Sequence, residues 1–188
     1  YPHARCRRQC KMFIIDKPKT DKDNKEKIKN SFSDKSIRLN TLFIVGAEPL
    51  LIKDNADPLD FIPPHVKIDI ISNFSTDVTK SKVFEKFLKR QKVNWHISME
   101  NVGERYEYVR QGSQWQMLID NLKILGKEVR NPLEVNDHEI QFMSLFHLLN
   151  STQLCEFKNF AREAISFFPH KFKRPNPYNK HIEIVWHK

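Results

Sequence analysis

Cysteine, glycine and long apolar runs are all scarce in this chain of 188 residues. Three cysteines cannot build the disulfide framework of a secreted domain, so a reducing, cytoplasmic compartment is expected. With four glycines there is no Walker-type loop, and no GxSxG elbow or zinc-protease motif occurs either. No stretch approaches the roughly 18 apolar residues of a membrane span. No basic-then-apolar leader opens the chain, so no membrane partner is expected. The first residue is Tyr1 rather than Met, which suggests a processed product, a fragment or a chain whose true start lies elsewhere. No internal repeat is visible.

Apolar residues make up 39% and charged residues 29%, a balance that suits a globular protein and is too apolar for wholesale disorder. The length fits one domain over residues 1–188. The net charge of +9 is concentrated at the ends. Residues 1–40 hold 12 Lys and Arg against 5 Asp and Glu, and residues 171–188 hold 5 against 1. Such ends either attract nucleic acid or another polyanion, or are simply solvated lysines. The Lys/Asn/Ile/Phe-rich, glycine-poor composition suits an AT-rich genome such as a phage's.

Five runs rich in β-branched and aromatic residues predict strands at Leu42–Gly46, Val66–Ser72, Val93–Met99, Glu139–Phe146 and Ile182–Trp186. Helical periods lie between most of them. Thr79–Arg90 puts Val83, Phe84, Phe87 and Leu88 on one face. A second helix is expected to open at Ser113 with Gln116 completing a capping box. It would carry Trp115, Leu118, Ile119, Leu122 and Leu125 inward and stop at Gly126. Ser151 or Thr152 is expected to cap a third, with Leu154, Phe157, Ala161 and Ala164 facing inward. Alternating strands and amphipathic helices predict an α/β fold with a parallel sheet. Runs such as Ile68-Asp69-Ile70-Ile71 suggest strands covered on both faces. Residues 16–40 break this regularity and are expected to form either a weakly anchored helix or a mobile insertion. The proline-bearing residues 169–181 predict an extended connection.

Ligands of open α/β sheets gather at the carboxyl ends of the strands. There the sequence places Gly46-Ala47-Glu48-Pro49, then Ser72-Asn73, then Ser98-Met99-Glu100-Asn101, followed by a loop with Glu104, Arg105 and Arg110. Upstream stands Cys6-Arg7-Arg8-Gln9-Cys10.

In this order the pieces resemble the radical S-adenosylmethionine superfamily. Its members carry CxxxCxxC on a loop after the first strand and GGEP after the second, on a partial parallel (βα)6 barrel. The counterparts are CRRQCKMF at 6–13 and GAEPLL at 46–51. The match is sharpest at VNWHISMENVGERYEYVRQGSQWQMLIDNLKIL (93–125), which is similar to a block of the phage and bacterial members that carry a C-terminal twitch domain. IQFMSLFHLLNSTQLCEFKNFA (140–161) resembles the same group's next strand and helix. The resemblance implies radical chemistry on an unknown substrate, with a [4Fe-4S] cluster and S-adenosylmethionine as cofactors. It implies Cys6 and Cys10 as cluster ligands and Gly46, Ala47 and Glu48 at the cosubstrate's amino end. Ser72, Asn73, Ser98 and Arg110 are implied as further contacts, Arg110 through a bidentate carboxylate pair.

The departures point elsewhere. The third cluster cysteine falls at Phe13, which has no lone pair for iron. GGEP is GAEP here, SIDG is SMEN, and the sequence stops at Lys188 where relatives continue into the twitch domain. The alternative is a cluster-less barrel reused as a binding or structural component through its basic ends. For Cys6 and Cys10 three readings stay open: unpaired remnants, ligands of an incomplete cluster site, or a zinc site with His3. Glu48 has the simpler role of satisfying its loop, and Arg105 and Arg110 that of pairing with Glu100, Glu104 or Glu107. Cys155 and His96 are expected as a core thiol and a satisfied interior imidazole, and Trp95, Trp115 and Phe142 as core.

Overall fold

The β-branched runs become strands of one parallel sheet. The computed structural model describes residues 9–15, 30, 38–46, 48–129, 137–145, 148–168 and 182–187. Among them the strands are β1 (Gln9–Ile15), β2 (Arg38–Val45), β3 (Lys67–Ser72), β4 (Lys92–Ser98), β5 (Asp137–Leu145) and β6 (Ile182–His187). Every neighbouring pair is parallel, and spatial order follows chain order from β1 to β6. The order never reverses, so the sheet has no switch point of the doubly wound kind. Five strands match the expected runs within a few residues. The sixth, β1, falls on residues assigned above to a loop after a strand. Phe13 is a strand residue in register with Phe43.

Among the described residues the α-helices of more than one turn are α1 (Lys82–Leu88), α2 (Glu104–Val109), α3 (Trp115–Glu128) and α4 (Leu154–Ala164), each between two strands. Aromatic contacts put α1, α3 and α4 on the same side of the sheet. Trp95 of β4 packs edge-on against Phe87 and against Phe74, and meets Phe84 at 5.5 Å. Phe142 of β5 meets Phe160 of α4, which packs edge-on against Trp115 of α3 at 4.8 Å. Trp95 and Phe142 are fully buried and Trp115 is half-buried. Beneath the helices the sheet face is almost wholly apolar: Leu42, Ile44, Ile68, Ile70, Val93, Trp95, Ile97, Ile140 and Phe142. Its one buried histidine is satisfied. Trp95 Nε1 donates to His138 Nδ1 at 3.2 Å, so His138 Nε2 carries the proton and donates to the Arg90 carbonyl at 2.8 Å.

The opposite face corrects the expectation of two apolar coats. Register places Asp69, Asn94 and Glu139 side by side there, then Ile71, His96 and Gln141, then Ser98 and Met143. Period-two alternation along β4 (Val93-Asn94-Trp95-His96-Ile97-Ser98) is the pattern of a strand with one apolar and one polar face.

Helix ends also differ in detail. Ser81, not Thr79, caps α1, its Oγ accepting from Phe84 N at 3.2 Å. Ser113 does not cap α3. The free Trp115 N–H is taken by the Glu107 carboxylate of α2 at 2.7 Å, a partner from another helix. Gly126 does not end α3 but lies buried inside it, against the backbone of Phe167. The α4 helix begins after both Ser151 and Thr152, and the Ser151 hydroxyl donates to the Leu148 carbonyl instead. Cys155 is exposed, because the inward stripe of α4 is Phe157, Phe160, Ala161 and Ala164, and position 155 falls opposite it. The expected irregular segment 16–40 lies outside the described residues up to residue 37 except for Asn30, and the connection 169–181 lies outside them entirely. Most of the basic residues at the two ends fall in those same stretches.

Candidate functional site

Three strand ends build one polar cluster at the carboxyl edge of the sheet. After β2 the chain turns at Glu48, whose carboxylate is drawn into the interior and is only 7% exposed. Its Oε1 accepts from Leu50 N at 3.2 Å and from Ser72 Oγ at 2.7 Å, and its Oε2 accepts from Asn73 N at 3.0 Å. Glu48 thereby ties the end of β2 to the end of β3. Ser72 Oγ in turn accepts from Phe74 N at 3.0 Å. The Asn73 side chain folds onto its own turn, its Oδ1 accepting from Ser75 N at 2.9 Å and from Ser75 Oγ at 2.6 Å.

Past β4, Arg110 closes the cluster. Its Nε and Nη2 grip the two oxygens of Glu100 at 2.6 and 2.7 Å, and Nη2 also donates to Ser98 Oγ at 2.9 Å. The expected bidentate pair therefore exists, but its carboxylate is the chain's own Glu100. Arg110 acts electrostatically on Glu48, and Tyr106 senses both of them and Glu100. Glu48, Ser72, Asn73, Ser98 and Arg110 are thus brought to one end of the sheet. Gly46 is beside them at the end of β2, and Ala47 lies outside the described residues.

Sequence reasoning missed several residues here. Asn121 of α3 donates through Nδ2 to the Phe74 carbonyl at 2.8 Å and the Thr76 carbonyl at 2.7 Å. Its Oδ1 accepts from Val78 N at 3.3 Å. These bonds hold Phe74 at a φ of 52°, an unusual conformation for a bulky side chain. Asn150 Nδ2 donates to the Leu145 carbonyl at 2.7 Å and the Glu100 carbonyl at 3.2 Å. Asn101, just after Glu100, is buried with both amide atoms unpartnered.

Burial pushes the Glu48 carboxyl above its ordinary value of 4.5, and the bonds from Ser72, Leu50 N and Asn73 N and the charge of Arg110 pull it back only in part. The folded chain then holds this proton more tightly than the unfolded chain does. Its contribution to stability is most favourable below about 4.5 and falls as pH rises through the folded value. Subtracting the Glu48→Gln profile isolates the effect. The difference in unfolding free energy, wild type minus variant, is expected to decline from pH 4 toward neutrality in urea titrations. A difference that grows with pH would mean the hydrogen bonds outweigh burial.

Cys10 does not join this cluster. Cys10 lies near the start of β1, in register with Leu39 at the start of β2, whereas Glu48 follows the end of β2. Six strand residues separate the two levels, about 20 Å. No cysteine occurs between Lys11 and Leu154, so the loop after β1 offers no thiolate. Cys6 and His3 lie outside the described residues, and among the described residues no group of three or more His, Cys, Asp or Glu could hold a metal ion. A three-thiolate cluster at the carboxyl edge does not fit this chain. His96 is interior as expected but not satisfied: its Nε2 stands 3.5 Å from Asp69 Oδ1, and its Nδ1 has no hydrogen-bond partner.

Solved structures share this fold. SuiB of Streptococcus suis superposes in its S-adenosylmethionine-bound form with a TM-score of 0.60 at 11% identity, covering 96% of this chain and 39% of that one. SuiB bound to its precursor peptide SuiA gives 0.63 at 12% identity, covering 96% and 40%. Another SuiB structure gives 0.63 at 9% identity, covering 96% and 50%. The chain spans half or less of the length of these structures. No family model and no curated protein matches the sequence. Among the described residues no helix is long and apolar enough to cross a membrane.

Proposed function

We propose that this chain is a radical S-adenosylmethionine-type partial barrel that binds S-adenosylmethionine at the carboxyl edge of its sheet without building the family's iron–sulfur cluster from its own cysteines. The observation that carries the proposal is the convergence of Glu48, Ser72, Asn73, Ser98 and Arg110 at that edge, with Cys10 at the other. The unreversed strand order and the helices on one side support a sheet curled into an open barrel. So does the burial of Asp69 and Asn94 on the side that α1, α3 and α4 leave free.

The residues present fit a small zwitterion. Glu48 Oε2 accepts a single hydrogen bond and keeps a lone pair for an ammonium. The guanidinium has five N–H donors, and Nε and Nη2 supply all three bonds to Glu100 and Ser98, which leaves Nη1 for a carboxylate or hydroxyl. Asn101 offers an amide that nothing among the described residues answers. When bound, S-adenosylmethionine supplies an activated sulfonium. The chain's own contribution is to seat the two charged ends of the molecule and hold them away from water, and its role is binding rather than reductive cleavage.

Two measurements test this. Calorimetric titration of S-adenosylmethionine is expected to show saturable binding that Glu48→Ala and Arg110→Ala each weaken by about tenfold to a hundredfold, the worth of one hydrogen bond to a charged group. Arg110→Lys keeps the charge, loses the fork, and is expected to fall between. Anaerobic incubation with ferrous iron and sulfide is expected to leave the protein colourless. Absence of binding in the folded wild type overturns the site, and a brown protein with four irons overturns the cluster-less reading.

A further inference from the structure

Below the strand-end cluster, the polar face of the sheet holds a group of side chains that the proposed cosubstrate does not use. Asp69 and Asn94 are cross-strand neighbours in register, and His96 follows Asn94 by two residues on the same face. Asp69 is 7% exposed and Asn94 4%. Seven buried side-chain polar atoms among the described residues lack any hydrogen-bond partner, and three of them are here: Asp69 Oδ1, Asn94 Oδ1 and His96 Nδ1. Folded chains rarely leave buried polar atoms unanswered, and such atoms on three adjacent residues mark a place where something outside the chain answers them.

Two cations that flank this group among the described residues are committed elsewhere. Lys67 spans to Glu139 at 2.7 Å, one step toward the amino end of the same face, and Arg110 is held by Glu100 toward the carboxyl end. The imidazole does not neutralise Asp69 through a hydrogen bond, since Nε2 to Oδ1 is 3.5 Å. The carboxylate lies beside the Asn94 amide oxygen, which also has no donor among the described residues. A primary ammonium, with one positive charge and three N–H donors, suits a carboxylate and an amide oxygen on neighbouring strands, while His96 Nδ1, on the far side of the ring from the Nε2 that faces Asp69, lies outside that pair. A divalent cation is a poorer match, because no group of three or more His, Cys, Asp or Glu exists among the described residues.

We propose that Asp69 and Asn94, with His96 beside them, form a second site, for a protonated primary amine, set about 10 Å below the strand ends on the polar face of the sheet. Such an amine is carried by a lysine side chain or by an amino terminus. The site places the amine-bearing ligand along the row Asn94, His96, Ser98, so that its remainder reaches toward Arg110 and Glu48.

The experiment uses the full chain labelled at its histidine rings, with the His96 signals assigned by their loss in His96→Gln. n-Butylammonium is expected to move the His96 signals saturably, whereas n-butanol, equal in length and uncharged, is not. N-acetyl-lysine methylamide against glycine methylamide then separates a side-chain amine from an amino terminus. Asp69→Asn is expected to weaken the response at least tenfold, and Asn94→Ala serves as the second variant should Asp69→Asn unfold. Equal response to butanol overturns the proposal as apolar binding. Response to zinc but not to the amine overturns it in favour of a metal site, and no response to any probe overturns it in favour of a hydrated side-chain pair. The probe binds without S-adenosylmethionine, so the result stands apart from the fate of the strand-end site.

Discussion

Replacing Gly126 with alanine is expected to destabilise the protein by about 3 kcal/mol, the upper end of the usual cost of overpacking. The sign is unusual. Glycine inside a helix normally costs about 1 kcal/mol relative to alanine, so the same change at an open helical site would stabilise. Here a Cβ on Gly126 would stand 2.0 Å from the Phe167 carbonyl oxygen and 2.8 Å from its carbon. Both are backbone atoms, and no side-chain rotation relieves the clash. The α3 helix and the 3-10 turn at Ile165–Phe167 must part, loosening Phe168, whose ring edge is 3.2 Å from the same Cβ. Gly112 is the control: a Cβ there meets nothing within 4 Å, and its φ of +86° leaves only the cost of a positive φ, about 1–2 kcal/mol. Urea unfolding of both variants checks the contrast. A neutral or stabilised Gly126→Ala protein would show that the turn carrying Phe167 yields freely.

The same glycine shows where sequence reading stopped. Gly126 follows the last clear inward position, Leu125, so a helix end was the natural inference, and its true role depends on a carbonyl 41 residues downstream. The strands were legible because their signal is local: five dense runs of Val, Ile, Phe and Trp. β1 was not, because its polar start, Gln9-Cys10-Lys11, overlaps a cysteine pattern that belongs after a strand in the family it resembles. The two-faced character of the sheet was present in β4 as strict alternation, hidden by the apolar density of β2 and β3. Cys155 could have been placed outside from the Phe157, Phe160, Ala161, Ala164 stripe alone.

Legibility of the site followed the same division. Glu48, Ser72, Asn73, Ser98 and Arg110 were traceable because parallel topology sends every strand end to one edge, whatever the side-chain details. Which of them bond to one another was not traceable. Arg110 resembles a ligand-binding fork, yet Glu100, ten residues earlier, occupies its Nε and Nη2. Asn121 and Asn150 gave no signal, since asparagines in loops and helices are ordinary, and Asn101 was visible only as the last residue of a strand-end group. What makes Asn121 and Asn150 important is backbone they meet across the fold, and for Asn101 it is the absence of any partner.

Asn121→Leu is expected to cost about 3 kcal/mol or more, since the substitution strips hydrogen bonds from two carbonyls and one N–H and each unsatisfied buried group costs about 1–3 kcal/mol. Leucine shares the branching of asparagine, is somewhat larger and is a better helix former, so the loss reports the polar contacts rather than a cavity or a weakened helix. The three groups belong to Phe74, Thr76 and Val78, the segment that carries the chain from the end of β3 into α1. With Asn121 gone, nothing compensates Phe74 for its φ of 52°, and the turn is expected to relax toward negative φ. Relaxation there moves Asn73, whose N–H is one of three donors on Glu48, and Ser72, which accepts from Phe74 N. A helix residue with no place in the ligand site would thereby alter it. S-adenosylmethionine affinity is expected to fall by about tenfold under conditions where the variant is fully folded, a coupling of about 1.4 kcal/mol. Urea melts give the stability loss, and calorimetric titration at low temperature gives the affinity. If stability falls while affinity is unchanged, the turn after β3 does not depend on Asn121 for its shape, and the strand-end cluster is held by Glu48 alone.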